Sequence, residues 1–222
     1  MSKFNLRPAL ASDIPSIVSI YMSAFSHAHD LISLKVFPRD QESSHQFWRD
    51  MLTEEIDDPE ARILAVTVAT PRAEGSELDE EEVVAFAKWN TPRTYPHPSL
   101  SPLPTWPHPP GAALADHFFG ALSQRKHELV GDGALRPYWY LELVATKPEF
   151  QGQGAAGLLM RWGLERADEA GVETYLEASP EGKAVYERFG FKEVGRLVVG
   201  EEWFGEQGEF VEVFMVREGK ET

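Results

Sequence analysis

The chain has 222 residues, 42% of them hydrophobic and 26% charged, enough for one α/β-sized domain to bury a core without disulfide or metal staples. Its 36 acids against 21 bases give a net charge of −15, which excludes a sequence-independent grip on nucleic acid and suits a cationic partner better. The absence of cysteine excludes a disulfide framework, a thiolate zinc site and a cysteine nucleophile, and no apolar run is long enough to span a membrane.

The run Phe4 to Arg7 alternates like an edge strand. Ser12 stands where a helix N-cap would, with Asp13 in the first turn, and Ile14, Ile17, Val18, Tyr21 and Phe25 follow at helical spacing. A second helix is predicted over 40–56, with Phe47, Trp48, Met51 and Leu52 on its buried side. Two strands are predicted at 62–69 and 83–89, joined by a polar hairpin, 71–82, with an acidic tip. The opening residues Met1 to Arg7 lack the apolar centre of a signal peptide, so the expected location is the cytoplasm, with the nucleus open.

A segment at about 90–138 reads as an insertion within a single domain covering 1–222. Eight of the nineteen residues from Pro92 to Pro110 are proline, which removes backbone donors and keeps the segment out of a sheet interior. A helix is predicted at 113–129, and the segment serves either as a stiff connector or as a wall over a pocket. Trp89, Tyr95 and Trp106 suggest that such a wall is partly apolar. The remainder reads as a strand at 139–146, a turn, and a helix from the glycine-rich run to about Gly171. A strand at 173–178, a helix at 181–188 and two strands near 193–199 and 210–216 complete the pattern.

Gly152-Gln-Gly-Ala-Ala-Gly157 matches G-x-G-x-x-G between a strand and a helix, the dinucleotide pattern. Its setting argues against that use. Six residues including Pro148 separate strand from glycine, and the chain finishes in two strands around a turn instead of further β-α units. The same residues also read as Gln151-x-x-Gly154-x-Ala156 at the start of a helix, where unpaired N–H groups and the positive end of the helix dipole suit a pyrophosphate. This stretch resembles motif A of the GNAT superfamily of CoA-dependent N-acyltransferases, Arg/Gln-x-x-Gly-x-Gly/Ala. Tyr175 to Ser179 and Val185 to Phe191 resemble its motif B, in which a strand is followed by a helix ending in Tyr-x-x-x-Gly-Phe. Phe4 to Ala9 and Ser12 to Ile14 are similar to the family's first strand and helix.

The resemblance implies an α/β fold with a mixed central sheet splayed at strands 4 and 5 and helices on both faces. It implies acetyl-CoA as cosubstrate, held by the backbone of Val144, Ala145 and Thr146 along the pantetheine. The pyrophosphate would rest on the run Gln151, Gly152, Gln153, Gly154, Ala155, Ala156 and Gly157. Many members carry an asparagine after the motif B strand; Ser179-Pro-Glu-Gly182 stands there instead, with Ser179 the candidate contact. Tyr186 falls where the family often has a tyrosine beside the departing sulfur. The acceptor would be an amine, attacked directly in a ternary complex. An alkylamine of pKa ~10.4 lies about 3.4 units from deprotonation at pH 7, about 4.6 kcal/mol, so a base must take a proton. Glu177 and Glu142 are the two candidates; Glu142 is expected to point opposite to Leu141 and Leu143 by strand alternation. The rival to an enzyme is a non-catalytic acyl-CoA-binding protein. No metal is expected, since the histidines lack strong ligand spacing. The acidic balance favours a cationic small-molecule acceptor over a nucleic acid, and the sequence leaves open both a protein amine as acceptor and the oligomeric state.

Overall fold

β1 (Asn5–Pro8) forms one edge of a seven-stranded sheet in the computed structural model, which describes residues 3–25, 31–69, 81–93, 103–131 and 136–220. The sheet order is β1-β2-β3-β4-β5-β7-β6. β2 (Ala61–Ala69) and β3 (Glu81–Asn90) form an antiparallel pair, and β4 (Tyr138–Thr146) joins β3 antiparallel. β5 (Glu173–Ala178) lies parallel to β4, and β7 (Phe210–Arg217) and β6 (Lys192–Val199) follow as an antiparallel pair. Helices cover both faces, as the GNAT resemblance implies.

On one face lie α1 (Ile14–Ala24), α2 (Leu31–Val36), α3 (Glu42–Glu55) and α4 (Ala112–Val130), packed over Ile63, Ala65, Val83 and Phe86. On the other lies α5 (Ala155–Ala170), whose Leu159, Met160 and Leu164 bury against Leu64, Val84, Trp89 and Leu176. α6 (Pro180–Glu187) follows β5, and α7 (Glu201–Phe204) joins β6 towards β7. The short helices α2 and α7 have too few turns to show an apolar period, which is why sequence periodicity passes over them.

Several expectations shift at this level. Ser12 is not the cap of α1. Asp13 takes the N-terminal role: its carboxylate accepts the Leu10 N–H at 2.8 Å and pairs with Arg7 at 2.6 Å. Burial pushes that carboxyl up, but the Arg7 and Leu10 hydrogen bonds outweigh it and hold its pKa below the usual range. Phe47 and Met51 are half-buried, while Ser44, Trp48 and Leu52 form the buried stripe of α3. The acidic tip at 71–80 lies outside the described residues; Glu81 and Glu82 begin β3 and pair with Arg7 and Lys147.

The segment before β4 is more than a connector. Leu114, Ala115 and Phe118 of α4 are buried in the core, and Gly111 lets the segment press against α2. A Cβ at Gly111 would lie 2.2 Å from the Lys35 carbonyl oxygen, so the approach requires glycine.

The end of β7 is fastened to α5 by Arg217, which grips Asp168 at 2.7 and 2.9 Å, with Lys220 nearby at 3.1 Å. The Arg217 hydrogen bond, against opposing burial, holds Asp168 down to about 2. A carboxyl depressed in the folded state stabilises the protein above its unfolded pKa near 3.9 and loses that contribution as pH falls towards 2. Asp168→Asn is therefore expected to cost about 1–2 kcal/mol at pH 7, allowing for solvent screening, and almost nothing at pH 2. Urea melts at the two pH values test this; an equal loss at both would refute the linkage.

Candidate active site

β4 and β5 pair from Tyr138 with Glu173 to Leu141 with Leu176, and there the ladder ends. Beyond that rung β4 stays with β3 as far as Thr146, while β5 stays with β7 as far as Ala178. The sheet is split at its centre. A β-bulge stands at the split: Trp89 faces Leu141 and the adjacent Lys88 faces Leu143, so Glu142 is the extra residue. A bulge bends its strand and re-aims a side chain.

This corrects the expectation for Glu142. Leu141 packs on the α5 side and Leu143 on the α1 side, so strict alternation fails here. The Glu142 carboxylate accepts from Asn90 at 2.6 Å and pairs with Lys88 at 2.9 Å. Lys88 also pairs with Glu55 of α3 at 2.6 Å. Its side chain is only 3% exposed, whereas that of Glu142 keeps 29% and so borders open space. Burial alone would discharge the Lys88 ammonium; Glu142 and Glu55 outweigh it and hold its pKa up.

Glu177 lies on the same side of the sheet, at the end of β5. Tyr175, two residues before it, and Tyr140 across the ladder have ring centres 5.6 Å apart. The Tyr175 hydroxyl is buried and interacts with the Glu177 carboxylate. The two carboxylates are driven in opposite directions. Burial raises Glu142, but the Lys88 charge and the Asn90 hydrogen bond outweigh it, so Glu142 is held below the usual carboxylate range. Burial dominates at Glu177 and raises it, with the Glu142 charge adding to the effect against the pull of Lys126 and Tyr140. Paired groups with diverging pKa values are the usual arrangement for dividing acid–base roles.

Tyr186 of α6 lies on the other face, partly buried with Phe191 and Leu176 in the cluster under α5. Burial and then the Glu212 charge push its phenol well above the usual value. The structure thus brings Glu142 and Glu177 together and places Tyr186 on the opposite side of β5 from Glu177.

Val144, Ala145 and Thr146 lie beyond the last β4–β5 rung, paired to β3 alone. Gln151 donates from its side chain to the Thr146 carbonyl at 3.2 Å, and Gln153 bonds Glu149 at 2.7 Å and Lys3 at 2.7 Å. Gly152 and Gly154 have φ of +70° and +97°, and no atom stands within 4 Å of where a side chain would begin. Ala155 is buried at the start of α5, with Ala156 next to it, and the Arg161 guanidinium lies 3.2 Å from the Cβ position of Gly157. Ser179 caps α6, its hydroxyl accepting the Gly182 N–H at 3.1 Å.

Residues 112–203, from α4 to α7, match the family model of the acetyltransferase (GNAT) domain. That stretch, less than half of the chain, is where the match to a GNAT acetyltransferase domain lies. The GNAT fold extends over the whole chain. A structure from Corynebacterium glutamicum of histone acetyltransferase HPA2 and related acetyltransferase is similar at a TM-score of 0.56 and 21% identity, covering 100% of this chain and 99% of its own. The Escherichia coli ribosomal-protein-S18-alanine N-acetyltransferase is similar at 0.53 and 13% identity, covering 99% and 96%. The C-terminal condensation domain of Ebony, in complex with beta-alanyl-dopamine, is similar at 0.66 and 10% identity, covering 98% and 100%.

Around this GNAT core the aromatic wall expected from sequence is differently built. Trp89 is fully buried beneath α5 and donates to the Leu159 carbonyl at 3.2 Å, so it faces no pocket. Trp106 stacks on Phe119 at 4.8 Å, and Tyr95 lies outside the described residues. Sequence reasoning missed Lys88, Asn90, Tyr140 and Tyr175. Lys88 did carry a signal, as the one charge inside the apolar run Val83 to Trp89. Among the described residues no cluster of metal-binding side chains occurs, and no helix is long and apolar enough to cross a membrane.

Proposed function

We propose that this protein is an N-acetyltransferase that moves an acetyl group from acetyl-CoA to a small amine by direct attack in a ternary complex. The observation that carries the reading is the split between β4 and β5, with an open glycine turn after β4 and two oppositely tuned carboxylates on the far face.

The turn fits a pyrophosphate. Space is open over Gly152 and Gly154, the first N–H groups of α5 have no carbonyl partner within the helix, and Arg161 adds a positive charge beside them. The backbone of Val144, Ala145 and Thr146 would line the pantetheine, with Gln151, Gln153 and Ser179 bordering the strip. When bound, acetyl-CoA supplies an acetyl carbonyl activated as a thioester. Glu177, its affinity for a proton raised, takes a proton from the acceptor ammonium. Glu142, kept anionic by Lys88, draws that ammonium in. Tyr186 holds its proton too tightly for full transfer, so it donates a hydrogen bond to the sulfur as charge builds there.

The deciding experiment measures CoA release against a panel of small amines. Release supports the reading; tight acetyl-CoA binding without turnover on any amine supports a protein that stores or senses the ligand. Two variants refine it. Tyr186→Phe is expected to lower kcat by about 10²-fold with acyl-CoA affinity unchanged, and equal kcat would remove Tyr186 from the reaction. Gly154→Val forces a branched side chain into left-handed backbone, a strain of about 1–3 kcal/mol. Calorimetry should show acyl-CoA binding weakened by about tenfold or more, whereas unchanged binding would detach the turn from the cofactor.

A further inference from the structure

Lys126, on α4, brings its own amine to the acceptor side of the sheet. Its ammonium lies 4.1 Å from the centre of the Tyr140 ring. Tyr140 is one rung from Leu141, where the β4–β5 ladder ends, so the ammonium stands beside the split. The side chain is half-buried, while its neighbours Arg125 and Glu128 pair with each other at 2.6 Å on the outer surface of the helix. The Lys126 charge acts on both Glu142 and Glu177, so it shares their field. A ring face and the field of two carboxylates at the edge of the split are what a cationic acceptor would meet, and a tethered primary amine already lies on that ring within that field.

We propose that Lys126 occupies the position of the incoming amine and is itself acetylated there when no acceptor displaces it. The proposal rests on the acetyltransferase reading. The Lys126 ammonium gives one proton to the Glu177 carboxylate, directly or through water. Its nitrogen lone pair then attacks the acetyl carbonyl carbon. A C–N bond forms, the C–S bond breaks, and the nitrogen loses its second proton; the departing thiolate takes up a proton to become the free thiol of CoA. The product is a neutral amide in place of a cation, which ends the cation's contact with the Tyr140 ring and leaves the cleft more negatively charged.

Two measurements test this. The first incubates the protein with acetyl-CoA bearing a 13C-labelled acetyl group and follows peptide masses. Lys126 is expected to label at least about 100-fold faster than the exposed Lys192 and Lys220, at a rate independent of protein concentration. Glu177→Gln should slow that labelling, and Lys126→Arg should abolish it. The second needs no acetyl-CoA: 2-phenylethylammonium is titrated into the protein and into Lys126→Met by calorimetry. Removing the tethered cation should tighten binding about tenfold or more. If amines are turned over while Lys126 labels no faster than Lys192, the proposal fails and the acetyltransferase reading stands. If the probe binds both proteins equally, Lys126 does not occupy the amine position and the proposal fails. If neither Lys126 nor any amine accepts acetyl, both fall together.

Discussion

Glu177→Gln is expected to lower kcat on an amine acceptor by about 10²–10⁴-fold while leaving acyl-CoA binding unchanged. The amide matches the carboxylate in shape and keeps its packing beside Tyr140 and Tyr175, so the change removes the proton acceptor and little else. Burial and the neighbouring Glu142 anion set the carboxyl of Glu177 above its ordinary value. A base must be ionised to act, so wild-type kcat/KM should fall as pH drops through that raised pKa, at a midpoint above the ~4.3 of a free glutamate. Glu142→Gln should behave differently. It removes the nearby charge, so the acidic limb of the profile should move to lower pH. It also leaves Lys88, 3% exposed, with Glu55 as its remaining carboxylate, so stability should fall as well. Wild-type kcat in Glu177→Gln, with the loss appearing only in Glu142→Gln, would transfer the base to Glu142.

The second large effect concerns folding. Gly163→Ala on α5 should destabilise the protein by about 2 kcal/mol, although alanine normally favours a helix over glycine by about 1 kcal/mol. A Cβ at Gly163 would lie 2.3 to 2.6 Å from three atoms of the Trp89 ring. That ring has nowhere to go: it is fully buried and tied to the Leu159 carbonyl at 3.2 Å. At about 2–4 °C per kcal/mol for a chain of this size, the melting temperature should drop by roughly 4–8 °C. Trp89→Phe in the Gly163→Ala background should restore part of the loss, because the smaller ring makes room and the two sites are coupled. A melting temperature that rises in Gly163→Ala would show that α5 sits further from β3 than this packing requires.

Much of the fold can be read from local pattern. The apolar runs at 62–69 and 83–89, the helical spacing from Ile14 to Phe25 and the glycines around α5 each report backbone geometry within a few residues. That is why β2, β3, α1 and α5 fall near their expected bounds. The proline-rich segment told less, because the role of α4 depends on what Leu114 and Phe118 pack against rather than on their spacing.

The acceptor side of the site belongs to the tertiary structure. Lys88, Lys126, Glu142 and Glu177 sit on four different elements, and only strand pairing together with the packing of α4 over the sheet brings them to one cleft. Glu142 shows the reason most clearly. Residue types two apart in sequence suggest which face a side chain takes, but one unpaired residue in the β3–β4 ladder reverses that order. Glycine, proline and apolar period are properties of a short stretch of chain, and the amino-acid order alone determined them. Which carboxylate is kept charged and which is pushed towards neutrality depends on burial and on partners drawn from distant segments, and those exist only once the sheet has closed.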